Sequence, residues 1–298
     1  MKRMSVSPFD WKMAVRSIVH SYSVGFVALD RSGMVGSRPV GSGTLVEFSG
    51  IRGVVTAAHV AEYICGMQEV GLLLFSPGKT AEALSLKGEV LDATYVRGPS
   101  YGPEGPDLAF LRLPQEVEDR VAATKAFFNS AVRWHRPQGR NDQEQLFVLT
   151  GLLAEAAIDH GIVGGSHKSE QSAIIATGRL ADHRKDQSGV DLLDFHRDQD
   201  PDNPPPDSYG GVSGGGLWRV RDEELGNTLI GVAYYENEAD QTGHRVIKCH
   251  WPLSVHEVLY LAVLDKYDPE QAAAHRAAEA HLSSGSQPDD KNVGADPG

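Results

Sequence analysis

Short apolar segments, each cut off by Gly, Ser or Pro, dominate the sequence between Ser17 and Leu113, and this punctuation limits what the chain can fold into. The strongest are residues 23–29 (SVGFVAL), 43–48 (GTLVEF), 53–58 (GVVTAA) and 107–113 (DLAFLRL), with weaker ones at 70–75 and 88–91. They are too short for stable helices and rich in the β-branched and aromatic residues that suit a pleated, half-buried surface. Many short strands separated by turn residues predict an all-β fold, an antiparallel sandwich or barrel.

The pattern changes at residue 115. Residues 115–129 (QEVEDRVAATKAFFN) place Val117, Val121, Ala122 and Phe128 near one face of a helix. A second strand-rich block follows at 145–150, 173–177, 190–195, 216–220, 228–235 and 246–250, and 253–264 reads as a closing helix after Pro252. The expected organisation is an N-terminal extension (1–16), a first β unit (17–114), a connecting helix and linker (115–144), a second β unit (145–251), a C-terminal helix (252–268) and a tail of frayed helix and disorder (269–298).

Composition narrows the functional classes. At 298 residues the chain suits one large all-β domain or two ordinary ones. No apolar run approaches the ~18 residues of a membrane span, and no apolar run of signal-peptide type follows the N-terminal basic residues. Two widely separated cysteines, Cys65 and Cys249, fit a reducing compartment, so a cytoplasmic protein without membrane association is expected. The net charge of −12 argues against nucleic-acid binding and favours neutral or basic protein partners.

Three segments carry the chemistry, in the order His, Asp, Ser. Thr56-Ala57-Ala58-His59 ends a strand with an imidazole among small residues. Asp107 opens an apolar strand, where its carboxylate needs a hydrogen-bonding partner; paired with a neutral histidine it would fix the tautomer. Gly210-Gly211-Val212-Ser213-Gly214-Gly215 lies between two strand-like blocks and contains one hydroxyl. Glycines around a serine permit unusual backbone angles and close substrate approach, and can turn successive N–H groups inward to hold an anion. Taken singly, each segment also reads as an ordinary strand end, turn or linker.

Together, TAAH (56–59), DLAFLRL (107–113) and GVSGG (211–215) resemble the trypsin/chymotrypsin family of serine proteases, in its intracellular, bacterial-type form, as does Gly41-Ser42-Gly43-Thr44 upstream. The resemblance spans residues 17–266. It implies two six-stranded antiparallel β-barrels, the first carrying His59 and Asp107, the second Ser213. It also implies a triad of these residues, an oxyanion hole from the N–H groups of Gly211 and Ser213, and no metal or organic cofactor. The expected function is that of a serine endopeptidase acting on protein or peptide substrates, with a regulatory protein partner as a further contact. A catalytically silent binding module on the same fold, and an esterase with the same triad, are the alternatives.

The sequence departs from the family at Val212, where zymogen-activated members carry an aspartate that pairs with a newly released N-terminus. Residues 162–165 (IVGG) match the family's mature start but lie between Asp107 and Ser213, so maturation by clipping is not expected. The acidic run 198–204 lacks the glycine and glutamate of a calcium loop, and no histidine spacing suggests a metal. Asp207 and Ser208 sit where trypsin-like members place the base of the primary pocket, which would favour Lys or Arg. Tyr234 and Glu236 replace smaller residues on the pocket wall and would instead narrow it.

Overall fold

The computed structural model describes residues 8–29, 38–75, 82–98, 101–133, 146–163, 166–185, 189–199, 204–220, 227–241 and 243–284. Expectations for 134–145, for the end of the IVGG segment, for most of the acidic run and for 285–298 lie outside the described residues.

In the N-terminal half, helix α1 (Pro8–Tyr22) leads into strands β1 (Ser23–Ala28), β2 (Arg38–Phe48) and β3 (Ile51–Thr56). Helix α2 (Ala58–Cys65) precedes β4 (Val70–Leu74), β5 (Glu82–Leu86), β6 (Asp92–Arg97) and β7 (Asp107–Arg112). Helix α3 (Gln115–Ala122), the short strand β8 (Phe128–Asn129) and helix α4 (Ser130–Arg133) follow. The strands pair antiparallel in the order β5-β4-β1-β2-β3-β7-β6, and β8 adds in parallel to β2.

The apolar runs in β2, β3 and β7 are continuous because both faces of these strands are buried. Leu45, Val54, Ala109 and Leu111 point into one core, shared with Phe26, Leu72, Leu84 and Ile64. Their neighbours Val46, Val55, Leu108 and Phe110 point into a second core, under Ile18, Trp218, Leu259 and Val263. Alternating side chains thus supply two cores from one strand, which an amphipathic strand could not do.

The C-terminal half contains β9 (Leu146–Leu152), the hairpin β10 (Ile158–Val163) and β11 (Ser166–Glu170), then β12 (Ala173–Lys185), β13 (Asp191–Arg197), β14 (Gly216–Val220), β15 (Thr228–Glu236) and β16 (Val246–His250). A closed six-stranded antiparallel barrel runs β12-β13-β16-β15-β14-β9, with β9 pairing β12 to complete the ring. Its interior holds Phe147, Leu149, Leu193, Phe195, Leu217 and Cys249. A π-helical turn (Ser254–Leu259), helix α5 (Tyr260–Tyr267) and helix α6 (Pro269–Ser284) end the described chain.

The structure bears on four of the expectations, and two of them, the strands read at 88–91 and from Ser17, are corrected. The first β unit is an antiparallel sheet whose closure into a six-stranded barrel is not shown, since among the described residues no ladder joins its end strands β5 and β6. Its edges still send Leu84, Leu86, Ala93 and Tyr95 toward the same core. Residues 88–91, read as a strand, hold a 3₁₀ turn at Gly88–Val90, where Gly88 N–H donates to Met67 O at 3.1 Å. The strand signal read from Ser17 gives way over residues 17–22 to α1, whose Val15, Ile18, Val19 and Tyr22 are buried. Residues 269–284, expected as frayed helix, form helix α6, to which buried Ala272 and the Arg276–Asp265 ion pair contribute contacts.

Candidate active site

Strand β3 delivers the chain to His59 at the first turn of α2. A helix start leaves its first N–H groups without intrahelical acceptors, and Ala57 at the cap position supplies no side-chain acceptor. Asp107, at the start of β7, fills that place. Its Oδ1 accepts the His59 backbone N–H at 2.9 Å, and its Oδ2 accepts from His59 Nδ1 at 2.6 Å. An ionised carboxylate only accepts, so this bond calls for a proton on Nδ1, and in the neutral imidazole Nε2 then keeps its lone pair. Asp107 is buried at 2% exposure while the His59 side chain is 35% exposed, so the pair has a fixed inner end and an open outer end. The edge of Tyr101 meets the His59 ring, with centroids 5.7 Å apart.

The glycine-rich turn is locked carbonyl by carbonyl. Gly210 O accepts from Ala154 N at 2.8 Å and Val212 O from Gly215 N at 2.7 Å. Gly211 O accepts from Ser42 Oγ at 2.6 Å, and Ser213 O from Ser42 N at 2.8 Å. In a trans peptide the N–H points opposite to the carbonyl it shares a plane with. The Gly211 and Ser213 N–H groups therefore face away from the groups that hold Gly210 O and Val212 O. Among the described residues neither has an acceptor, whereas Val212 N–H donates to Tyr209 O and Gly214 N–H to Ala233 O.

Two glycines make this geometry possible. Gly211 and Gly214 have φ of +90° and +89°, in the left-handed region. A Cβ on Gly214 would also stand 2.0 Å from Ser42 O and 2.1 Å from Thr56 Oγ1. The turn thus presses against β2 and the end of β3, three residues before His59. Ser213 Oγ lies 3.5 Å from Tyr234 O, at the outer limit of a hydrogen bond, and no hydrogen bond joins it to the His59 ring among the described residues.

The residues expected to shape the primary pocket are arranged differently. Asp207 is exposed, not buried at a pocket base, and the prolines before it run along the surface. The backbone N–H groups of Asp207 and Ser208 donate to the two oxygens of Glu155, at 3.2 and 2.9 Å. Glu236 Oε2 accepts from Ser208 Oγ and Tyr209 N, both at 3.1 Å, and its other oxygen faces Arg245 Nη1 at 3.1 Å. Ser208 and Glu236 are thereby joined in a strut under the 207–210 segment. Tyr234 is buried and turned toward the N-terminal half, where its hydroxyl donates to Pro103 O at 2.8 Å. Burial pushes its phenol far above the ordinary range.

Sequence reasoning did not single out Glu155 or Tyr101, or Ser42 as the clamp of the turn, because each acts through a partner far along the chain. The Gly-Ser-Gly at 41–43 was the available signal for Ser42. Asp182, Asp194 and His196 bring ligand-type atoms within 4.8 Å of one another. Asp194, however, is already paired with Arg184 at 3.2 Å and Lys248 at 3.3 Å, which balance its charge. Cys65 and Cys249 are both free thiols, and burial pushes each upward in pKa.

No protein-family model and no curated protein matches this sequence. Among solved structures, one from work on aromatic interactions in the coupled folding and binding of the intrinsically disordered Sesbania mosaic virus VPg protein aligns at 15% identity and a TM-score of 0.39, covering 79% of this chain and 89% of that one. The tobacco vein mottling virus protease aligns at 10% identity and a TM-score of 0.43, covering 82% and 83%. Likeness at this level leaves the fold to be read from the chain's own ladders and the site from its own residues.

Proposed function

We propose that this chain is a serine endopeptidase of the trypsin/chymotrypsin kind, with the N-terminal sheet as a variant of the first barrel and His59, Asp107 and Ser213 as its triad. The observation that carries the reading is the glycine turn: its carbonyls are tied back, and the two N–H groups left over flank the one hydroxyl. A loop that served only as a linker would gain nothing from two unpaired donors beside a serine.

The chemistry follows from these positions. In the reacting complex Ser213 Oγ would hydrogen-bond to the lone pair on His59 Nε2; apo sites often hold this contact long. As Oγ attacks the substrate carbonyl carbon, its proton passes to Nε2 and the carbonyl π-electrons move onto oxygen. Asp107, accepting from Nδ1–H, stabilises the imidazolium formed. The oxyanion takes the Gly211 and Ser213 N–H groups, whose orientation costs nothing at the moment of reaction. The tetrahedral species collapses, the amine leaves with the proton from Nε2, and an acyl-Ser213 ester remains. Water, deprotonated by His59, then hydrolyses the ester by the same route.

A pocket with a buried anion at position 207 has no support in the exposed setting of Asp207, so preference for Lys or Arg would have to come from elsewhere. Asp207→Ser is accordingly expected to leave the cleavage preference in a peptide library unchanged.

Turnover of fluorogenic peptides by the wild type and by Ser213→Ala and His59→Ala tests the reading. Triad members act as a unit, so each substitution should lower turnover on the order of 10⁶-fold while circular dichroism stays unchanged. Undiminished peptidase activity in Ser213→Ala would refute it.

A further inference from the structure

Asp107 is itself held from the opposite half of the molecule. Its backbone N–H donates to Nε2 of His250, 3.1 Å away, and both residues are buried. A ring nitrogen that accepts carries no proton, so His250 is a neutral imidazole protonated on Nδ1. It closes strand β16. Tyr234 lies against it, with ring centroids 4.6 Å apart and planes inclined by 38°.

Tyr234 reaches this place through an irregularity in the barrel. The β15–β16 register jumps between Ala233 and Tyr235, which leaves Tyr234 as the extra residue of a bulge. A bulge re-aims a side chain out of the strand's alternation. Ala233 faces the barrel interior, and Tyr234 joins the core of the N-terminal half. Its hydroxyl donates to Pro103 O at 2.8 Å, and Arg184 Nη2 reaches the same carbonyl at 3.4 Å. The segment that presents Asp107 is therefore gripped by the C-terminal barrel at Pro103 O and again at Asp107 N–H. Neither grip uses the Asp107 carboxylate, whose described hydrogen bonds go to the backbone and ring of His59.

We propose that His250, backed by Tyr234, is a positioning residue for Asp107. It fixes the backbone from which the carboxylate is aimed, so the C-terminal barrel sets the angle of a side chain carried by the N-terminal sheet. This rests on the triad reading above. Both carboxylate oxygens are committed to one residue, so a tilt at Asp107 disturbs both bonds together and misdirects the imidazole. Substrate does not contact His250 in this scheme, and its loss acts on kcat rather than KM.

The test compares His250→Gln, His250→Met and Tyr234→Phe in the full-length protein, by kcat and KM on a fluorogenic peptide and by the low-field proton NMR signal of His59 Nδ1–H. Gln can set an amide oxygen where Nε2 stood; Met fills similar volume without an acceptor of comparable strength. Met should lower kcat by about 10–100-fold, with KM within about threefold, and shift or broaden the signal, whereas Gln should restore most of both. Wild-type kcat in the Met variant, or a folded Gln variant as impaired as Met, would overturn the proposal. If the Met variant does not fold, Tyr234→Phe decides: it should lower kcat several-fold at constant KM, and wild-type kcat with an unmoved signal would overturn it. Wild-type protein with no turnover at all would refute the peptidase reading instead. The NMR signal would still report whether His250 orients the pair.

Discussion

At the scale of single residues, the site depends on positions where one atom more cannot be placed. Gly214→Ala would force a methyl into Ser42 O and Thr56 Oγ1 at a positive φ, so the turn must shift. It should lower stability by about 1–3 kcal/mol or more and reduce activity sharply, as checked by urea midpoint and peptide turnover. Val212 is buried among the barrel's apolar residues, so its side chain offers no carboxylate to a charged N-terminus. His59, Asp107 and Ser213 stand out in the sequence as candidates because each lies inside a short run of matching composition, and the structure pairs the first two. His250 does not stand out: its link to Asp107 spans 143 residues and exists only once two strands from different halves meet. Asp207 misled for the complementary reason, since its offset from Ser213 was right but its backbone is turned to Glu155.

Among the elements, helices were harder to read than strands. Helix α2 lacks a capping side chain of its own and borrows Asp107, so its start carried no local signal. Helix α1 ends on Lys125, a buried ammonium directed at the carbonyls of Val19, His20, Ser23 and Phe75. Lys125→Met strands those acceptors, and a loss of roughly 3 kcal/mol or more is expected by chemical denaturation. The π-helical turn is fastened by His256, whose Nε2–H donates to Leu229 O at 2.9 Å while Nδ1 takes the Ser130 hydroxyl at 2.7 Å. Burial pushes its pKa down to about 4. The unfolded chain takes up that proton nearer 6.5, so stability is full above this value and falls as pH drops toward 4, by on the order of 3 kcal/mol. Urea midpoints at pH 7 and 4.5 should therefore differ more in the wild type than in His256→Gln; an equal difference would count against this residue.

On the scale of the whole molecule, two unlike sheets share the work. In the proposed reading the N-terminal sheet carries His59 and Asp107, and the closed barrel carries the Ser213 turn together with the His250 and Tyr234 grip. The sequence pattern conveyed two β units but not how each closes, because closure depends on a ladder between edge strands that no local pattern encodes; among the described residues such a ladder completes only the C-terminal barrel. With Val212 in the core, full-length protein should turn over peptides without prior cleavage; activity found only after release of a new N-terminus would contradict this. The most direct measurement of the central claim is adduct mapping with a fluorophosphonate, by intact mass and then by peptide sequencing in the mass spectrometer. The account predicts a single adduct on Ser213 in the untreated full-length protein, absent in Ser213→Ala and formed far more slowly in His59→Ala. An adduct on another residue, or none on folded protein, would contradict it.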